Sequence, residues 1–482
     1  MKIFSNLLKD ALLYGGADFV AKLVVFLLFP LLARLLTSSE FGYLEILYVS
    51  SAMLGFLVRG GLNNSIQRYY WSEEYGTQQK SVLVGTGLLM VLAFGTALII
   101  VMFVLRRWSV DMAGMLGVSL TTMGVLAMTL LAAATQFQQF FLDVMRLGFN
   151  KFKFLGFSLC CRVVVYVFAF SLVSFGVVGV DGFVMALAVG GLVLIPLGYL
   201  MIKQMVTLSF DRSMAKTLFR YGYPFIFVDV AYWLFSSIDR WMLASMVGMD
   251  SVGQYSVAWR ITSIAMFASM AFSLAWSPYA IKLKADYPGQ YKALYSNVLT
   301  ILFAVFVLIA GGMSIFSGEI LHLMFHGKYD SMALALIILV LCVVLQATHH
   351  VIALGISLEG KTYWFSRLSW LAVLINVVGN YFLLPVWGAE GAAVSTLLSY
   401  LFLTVAYYFV SSRLHYIRFD YSRLLGLFLV LVVLVGASIM LQAFELTVVS
   451  VLLKLAIVAA ASLVCLCLLR GRLGLTVSQV VS

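Results

Sequence analysis

Charged residues are scarce in this sequence. Asp, Glu, Lys and Arg together make up 11% of the 482 residues, and apolar residues make up 63%. A soluble domain carries roughly 25% charged residues. Apolar runs of 18 or more residues recur along the chain, and the connections between them are too short to fold separately. The sequence therefore predicts an all-α integral membrane protein, and it argues against a soluble catalytic domain or a nucleic-acid partner.

Cysteines and cofactor motifs are also few. The five cysteines, Cys160, Cys161, Cys342, Cys465 and Cys467, all lie in apolar runs, which favours neither a disulfide framework nor a metal site. The chain contains no Walker loop, no dinucleotide-binding glycine fingerprint and no HExxH motif. We therefore expect no cofactor and no resident metal. The first apolar run lacks a small-residue cleavage site, so we expect it to be a retained membrane span rather than a signal peptide.

Windows of about 20 apolar residues predict fourteen membrane-spanning helices. The predicted spans are 11–36, 41–64, 79–104, 112–138, 152–175, 182–202, 221–247, 252–279, 293–316, 331–357, 362–385, 390–411, 423–442 and 447–469. With both termini in the cytoplasm, about twenty Lys and Arg residues fall on the inner side and only about four on the outer side. This positive-inside asymmetry supports an even number of spans.

The two halves of the chain resemble each other. "SSEFGYLEI" matches "MDSVGQYSV", and "GVDGFVMALAV" matches "GAEGAAVSTLL", at a nearly constant offset of about 210 residues. We therefore predict two pseudo-symmetric six-helix bundles, residues 1–205 and 206–415, followed by two accessory helices in 416–482. Two such bundles of equal orientation would enclose a central cleft for a substrate.

Four segments resemble the bacterial polysaccharide transporters. They are "FPLLARLLTSSEFGYLEILYV", "GLNNSIQRYYWSEE", "AWSPYAIKLKAD" and "VVGNYFLLPVWGAEGAAVSTLLSY". This family contains flippases for lipid-linked oligosaccharides, including O-antigen and exopolysaccharide repeat units, and its superfamily includes the multidrug and toxic compound exporters. The resemblance implies a MATE-like fold in which spans 1, 2, 7 and 8 line a central cavity. It also implies a location in the bacterial cytoplasmic membrane.

Two charges interrupt the first span. Asp18 and Lys22 are spaced i, i+4, and each costs roughly 2.5 to 3.5 kcal/mol in hydrocarbon. One interpretation is a self-neutralising pair. The other starts from the repeat, which matches Asp18 to Asp229 in the seventh span. Paired intramembrane acids suit conformational gating or cation coupling, with H⁺ and Na⁺ as candidate ions.

Cations outnumber acids inside the predicted spans, which favours an anionic substrate such as a diphosphate-linked lipid. The candidate substrate-binding residues are Lys22, Arg59, Arg162 and Arg260, and the candidate entry or exit residues are Arg240 and Arg367. The alternative for Arg59 and Arg367 is snorkelling to lipid headgroups. Asn376 and Asn380 are interpreted as interhelical hydrogen-bonding residues, with contact to sugar hydroxyls as the alternative.

The predicted function is translocation of a polyprenyl-diphosphate-linked oligosaccharide from the inner to the outer leaflet by alternating access. Its predicted partners are this glycan lipid, membrane lipids and other polysaccharide-assembly proteins. The alternative is ion-coupled export of drugs or metabolites. An enzyme is not expected, because no connection between spans is long enough to hold a sugar donor. A scaffold role would leave the duplicated halves unexplained.

Overall fold

The computed structural model describes residues 23–72, 76–441 and 448–470, and in these ranges it contains helices and no β-strand. Eleven described helices are long and apolar enough to cross a membrane. They are Ser38–Arg59, Thr77–Met115, Thr122–Leu147, Lys151–Ser174, Val180–Met205, Met249–Asp286, Tyr291–Ile315, Asp330–Leu358, Tyr363–Leu414, Tyr421–Leu441 and Val448–Leu469. The predicted all-helical membrane protein is confirmed.

The remaining predicted spans also fall on helices. Arg212–Met246 is a helix of 35 residues that covers the predicted seventh span. Tyr363–Leu414 covers two predicted spans, and the break between them lies at Gly388, whose φ of 52° and ψ of −125° are not helical. Leu23–Leu35 is the described part of the first span. A glycine suits the break at 388 because a side chain disfavours positive φ.

One predicted boundary differs clearly from the structure. The fourth span was predicted over 112–138, whereas Thr77–Met115 continues the third helix and the next helix is Thr122–Leu147. Two local features set this boundary. Gly117 has a φ of +77°, and the Thr121 side chain accepts a hydrogen bond from Gly124 N, capping the new helix. Apolar windows do not detect such a turn, because the residues on both sides of it are equally apolar.

The chain forms two compact units, Met1–Gly253 and Gln254–Ser482. The predicted bundles, 1–205 and 206–415 with 416–482 appended, stay a prediction. The described α-helices that lie wholly in the first unit are α1 Leu23–Leu35, α2 Ser38–Arg59, α3 Leu62–Tyr70, α4 Thr77–Met115, α5 Thr122–Leu147, α6 Lys151–Leu159, α7 Val165–Ser174, α8 Val180–Val193, α9 Ile195–Ile202 and α10 Arg212–Met246. The next helix begins in this unit and continues into the second.

Helix α5 is at the centre of the first unit, where it packs against α2, α4 and α8. Its small buried residues, 132–134, allow this close packing. Helix α2 also packs against α10. Two glycines permit close backbone approach at the ends of this region. A Cβ at Gly42 would lie 1.9 Å from Met249 O, and a Cβ at Gly61 would lie 2.0 Å from Gly222 O.

The second unit is built around a buried helix. Its helices are α11 Met249–Asp286, which begins in the first unit, α12 Tyr291–Ile315, α13 Ser317–Phe325, α14 Ala333–Ile352, α15 Leu354–Leu358, α16 Tyr363–Leu414, α17 Tyr421–Leu441 and α18 Val448–Leu469. Helix α14 packs against α12 and α16, and α12 also contacts α17 and α18. The α14 sequence is apolar on nearly every face, as expected of a helix surrounded by others.

Candidate functional site

A polar cavity of about 300 Å³ lies in the first unit. Its lining comes from the end of α2, from α3, and from the last three turns of α5, with Val91 of α4. The polar and charged lining residues are Arg59, Asn63, Gln67, Gln136, Gln139, Asp143 and Arg146. Several polar side chains that converge on a partly apolar cavity are typical of a small-molecule site, so this cluster is the best candidate for a substrate site.

Arg59 is oriented by a neighbouring amide. Its Nε donates a hydrogen bond to Gln136 Oε1 at 3.1 Å. Its Nη1 and Nη2 atoms make no hydrogen bond or ion pair with the residues that the structure describes. Helix α2 ends directly after Arg59, since Gly60 and Gly61 have φ values of 56° and 68°. The arginine therefore presents two terminal nitrogens at a helix C-terminus, where its charge is favoured.

Helix α5 contributes an acid and a second guanidinium. Gln139 Nε2 donates to Asp143 Oδ1 at 2.9 Å, and Arg146 Nη1 lies 3.6 Å from the same oxygen. Arg59 carries the opposite charge to Asp143, which lines the same cavity. The spacing of Gln136, Gln139 and Asp143 places all three on one helix face. The cavity combines two guanidinium groups with one carboxylate, so its lining carries a net positive charge.

Aromatic side chains form one edge of the cavity. Trp71 and Phe149 both line it, and their ring centroids lie 5.9 Å apart. Lys80 Nζ lies 5.9 Å from the Trp71 centroid, a distance that allows a cation–π interaction. The Trp71 side chain remains 54% exposed. This edge therefore offers an apolar ring surface next to hydrogen-bonding groups.

A second charged cluster in the first unit joins α2 to α10. Arg240 Nε lies 4.0 Å from Glu45 Oε2, and Arg240 Nη1 lies 3.4 Å from Asp239 Oδ1. All three side chains are buried. Trp233 Nε1 donates to Val49 O at 2.6 Å between the same two helices. The structure thus places Arg240 in a buried ionic contact, and its predicted role in entry or exit stays a prediction.

The other predicted residues are dispersed. Arg162 lies in the π-helix Cys160–Val164 and is half-buried. Arg260 lies in α11 and is half-buried. Arg367 Cζ lies 4.8 Å from the Tyr363 ring centroid in the first turns of α16, and both interpretations of Arg367 stay predictions. Asp18 and Lys22 lie outside the described residues, so their predicted roles stay predictions.

The asparagines of α16 form a buried network in the second unit. Asn380 Nδ2 donates to Asn376 Oδ1 at 3.0 Å, and Ser395 Oγ donates to Asn376 O at 2.8 Å. Asn376 Nδ2 also lies 3.4 Å from Thr396 Oγ1. The bonds of Asn376 to Ser395 and Thr396 connect the two halves of α16 on either side of Gly388, which supports the interhelical interpretation of Asn376. The bond of Asn380 lies within the first half of the helix.

Sequence reasoning missed several functional candidates. Gln136, Gln139 and Asp143 were not singled out, although polar residues spaced three and four apart within an apolar span were a usable signal. The pairing of Lys454 in α18 with Glu319 in α13 was also missed. No local signal could have found that pair, because 135 residues separate its members.

These features define a multi-pass helical membrane protein with a polar, cationic cavity among its helices. Its similarity to solved flippase and MATE structures shows a MATE-like fold. Residues 7–284, more than half of the chain, match the family described as polysaccharide biosynthesis protein. The chain therefore belongs to this family. Residues 224–382 also match the MatE family.

Known proteins are consistent with this assignment. The chain is 26% identical over 211 residues to the probable low-salt glycan biosynthesis flippase Agl15 of Haloferax volcanii. That match covers 44% of this chain and 45% of the relative, less than half of either. The lipid II flippase MurJ, in an inward closed conformation, has the same fold with a TM-score of 0.76 at 14% identity, over 94% of this chain and 98% of that one. An inward-facing multidrug resistance MATE transporter aligns with a TM-score of 0.59 at 13% identity, over 84% and 94%.

Proposed function

We propose that this protein is a flippase that moves a polyprenyl-diphosphate-linked oligosaccharide from the inner to the outer leaflet of the cytoplasmic membrane. The observation that carries the proposal is Arg59, which lines a polar cavity and is held by Gln136 through Nε alone. A guanidinium with two available terminal nitrogens can bind phosphate oxygens in a bidentate manner. Family membership and the flippase named among the relatives support the same substrate class.

In this mechanism the diphosphate binds Arg59 while the polyprenyl tail remains in the bilayer. The glycan headgroup then crosses within a polar enclosure, which avoids moving hydrated groups through hydrocarbon. Alternating access to the two sides completes the transfer. The Lys and Arg distribution supports a cytoplasmic position for both termini. Asp229, which the sequence repeat matches to Asp18, is a candidate gating or cation-coupling residue.

The proposal is tested in proteoliposomes that contain a fluorescent polyprenyl-diphosphate-linked oligosaccharide. The wild-type protein should accelerate its exchange between leaflets. Arg59→Gln should slow the exchange by at least about 10-fold, because a charge-assisted phosphate contact is lost. Arg59→Lys should restore only part of the rate, since lysine does not reproduce bidentate geometry. Arg107→Gln is the matched control, because Arg107 is exposed on α4 and does not line the cavity.

The alternative is ion-coupled export of drugs or metabolites, which the MatE match over residues 224–382 favours. The same proteoliposomes loaded with a cationic dye separate the two functions. Ion-driven dye export without glycan exchange would support the alternative and overturn the flippase proposal. Unchanged glycan exchange in Arg59→Gln would overturn the role of Arg59.

A further inference from the structure

The cavity contains a hydrogen-bond acceptor that the protein itself leaves unused. Asn63 Oδ1 is buried, yet it accepts no hydrogen bond from the residues that the structure describes. Asn63 is one of the residues that line the cavity, so its side-chain amide lies next to a molecule bound there. A buried acceptor without a donor is unfavourable, and its ligand should therefore bring a hydroxyl or amide N–H.

Two further lining residues continue from Asn63 along the same face. Asn63 and Gln67 lie on α3, and Trp71 follows its last residue, Tyr70. The spacing of four residues between successive members places them one helical turn apart. The resulting stripe consists of an acceptor, an amide and a half-exposed indole ring. None of these groups carries a charge, in contrast to Arg59 and Arg146, which also line the cavity.

The stripe has the chemistry of a carbohydrate site. A sugar ring offers hydroxyl or acetamido donors along its edge and an apolar C–H face. Asn63 Oδ1 and Gln67 match the edge, and the Trp71 ring matches the face. A cavity of about 300 Å³ is at the lower limit for small-molecule sites and does not enclose an oligosaccharide. Proximity to Arg59 selects the ring joined directly to the diphosphate.

We propose that Asn63, Gln67 and Trp71 form a subsite for the first sugar of the lipid-linked glycan, separate from the phosphate contact at Arg59. This inference rests on the proposed flippase function and adds to it the position of the sugar. The protein then recognises its substrate in two parts, by charge at the diphosphate and by hydrogen bonding and stacking at the adjacent ring.

The test compares two ligands on the purified full-length protein. One is a short-chain polyprenyl diphosphate, and the other is the same lipid bearing one N-acetylhexosamine. Asn63→Leu and Trp71→Ala should each lower the affinity for the sugar-bearing lipid by about 10-fold. The affinity for the sugarless lipid should change by less than about twofold. Arg59→Gln should lower the affinity for both ligands. Trp71→Phe should retain most of the affinity, because it keeps an aromatic face.

Asn64→Leu is the matched control, since Asn64 lies on the same helix and does not line the cavity. Its affinity for both ligands should equal that of the wild type. The sugar subsite would be overturned if Asn63→Leu and Trp71→Ala lowered the affinity for both ligands equally, or changed neither affinity. The flippase proposal would remain intact in both cases. A wild-type protein that binds neither ligand would overturn the flippase proposal and the subsite together.

Discussion

Gly55 and Gln136 lie in direct contact between α2 and α5. A Cβ placed on Gly55 would lie 2.7 Å from Gln136 Nε2, closer than side-chain carbon atoms normally approach. Gln136 in turn accepts the hydrogen bond that orients Arg59, one turn beyond Gly55 on α2. The absence of a side chain at position 55 therefore helps to set the position of the Arg59 guanidinium.

Gly55→Ala should displace Gln136 and misplace Arg59. Because the amide is the end of a flexible side chain, it can move aside, and we expect the protein to remain folded. Leaflet exchange of the glycan lipid should fall by about 10-fold, as expected when a binding group is misoriented. Gly114→Ala on α4 is the control, since nothing lies within 4 Å of its Cβ position. Wild-type exchange in Gly55→Ala would show that Gln136 does not position Arg59.

Gly42→Ala should destabilise the first unit. Its Cβ would lie 1.9 Å from Met249 O and 2.8 Å from Gly253 N, and backbone atoms cannot move aside as a side chain can. We expect a cost of about 1–3 kcal/mol from the forced separation of the two segments. Thermal unfolding in detergent measures the effect. Gly156→Ala, with nothing within 4 Å of its Cβ position, should unfold at the wild-type temperature, and equal midpoints for both variants would contradict the prediction.

Arg240→Gln should destabilise the protein more than Glu45→Gln. Removal of the guanidinium takes a cation away from two buried carboxylates, Glu45 and Asp239, whereas Glu45→Gln removes one carboxylate from the cluster. Loss of one member of a buried ionic contact costs about 3–5 kcal/mol. Removal of the Glu45 charge instead leaves Arg240 in contact with Asp239. Unfolding in detergent should therefore begin at a lower temperature for Arg240→Gln. The reverse order would mean that Asp239 does not balance the arginine.

Lys454→Met should destabilise the second unit, because it leaves Glu319 without its cation in a largely buried contact between α18 and α13. The double variant Lys454→Met and Glu319→Gln should be more stable than Lys454→Met alone, since the remaining charge is also removed. A double-mutant cycle on unfolding midpoints gives the coupling energy directly. Additive effects of the two substitutions would indicate that the ion pair contributes nothing.

The local pattern of apolar residues in the sequence was sufficient to predict the fold class and most of the helices. Long apolar runs with few charges have one stable outcome in a bilayer, because a helix satisfies its own backbone hydrogen bonds. Most of the predicted spans therefore fall on helices in the part of the chain that the structure describes. Boundaries such as the one near Gly117 were less accurate, because a turn between two apolar helices changes the backbone without changing hydropathy.

The sequence by itself determined that this chain is a helical membrane protein with excess cations inside its spans. It also singled out Arg59, which lines a polar cavity in the structure, and the role of Arg59 in substrate binding stays a prediction. Only the tertiary structure brought Gln136 to Arg59, Arg240 to Glu45 and Lys454 to Glu319. The physical reason is the distance along the chain over which each effect acts. Hydropathy and helical spacing act within one helix, whereas the partner of a buried charge is chosen by packing between helices that are far apart in the chain.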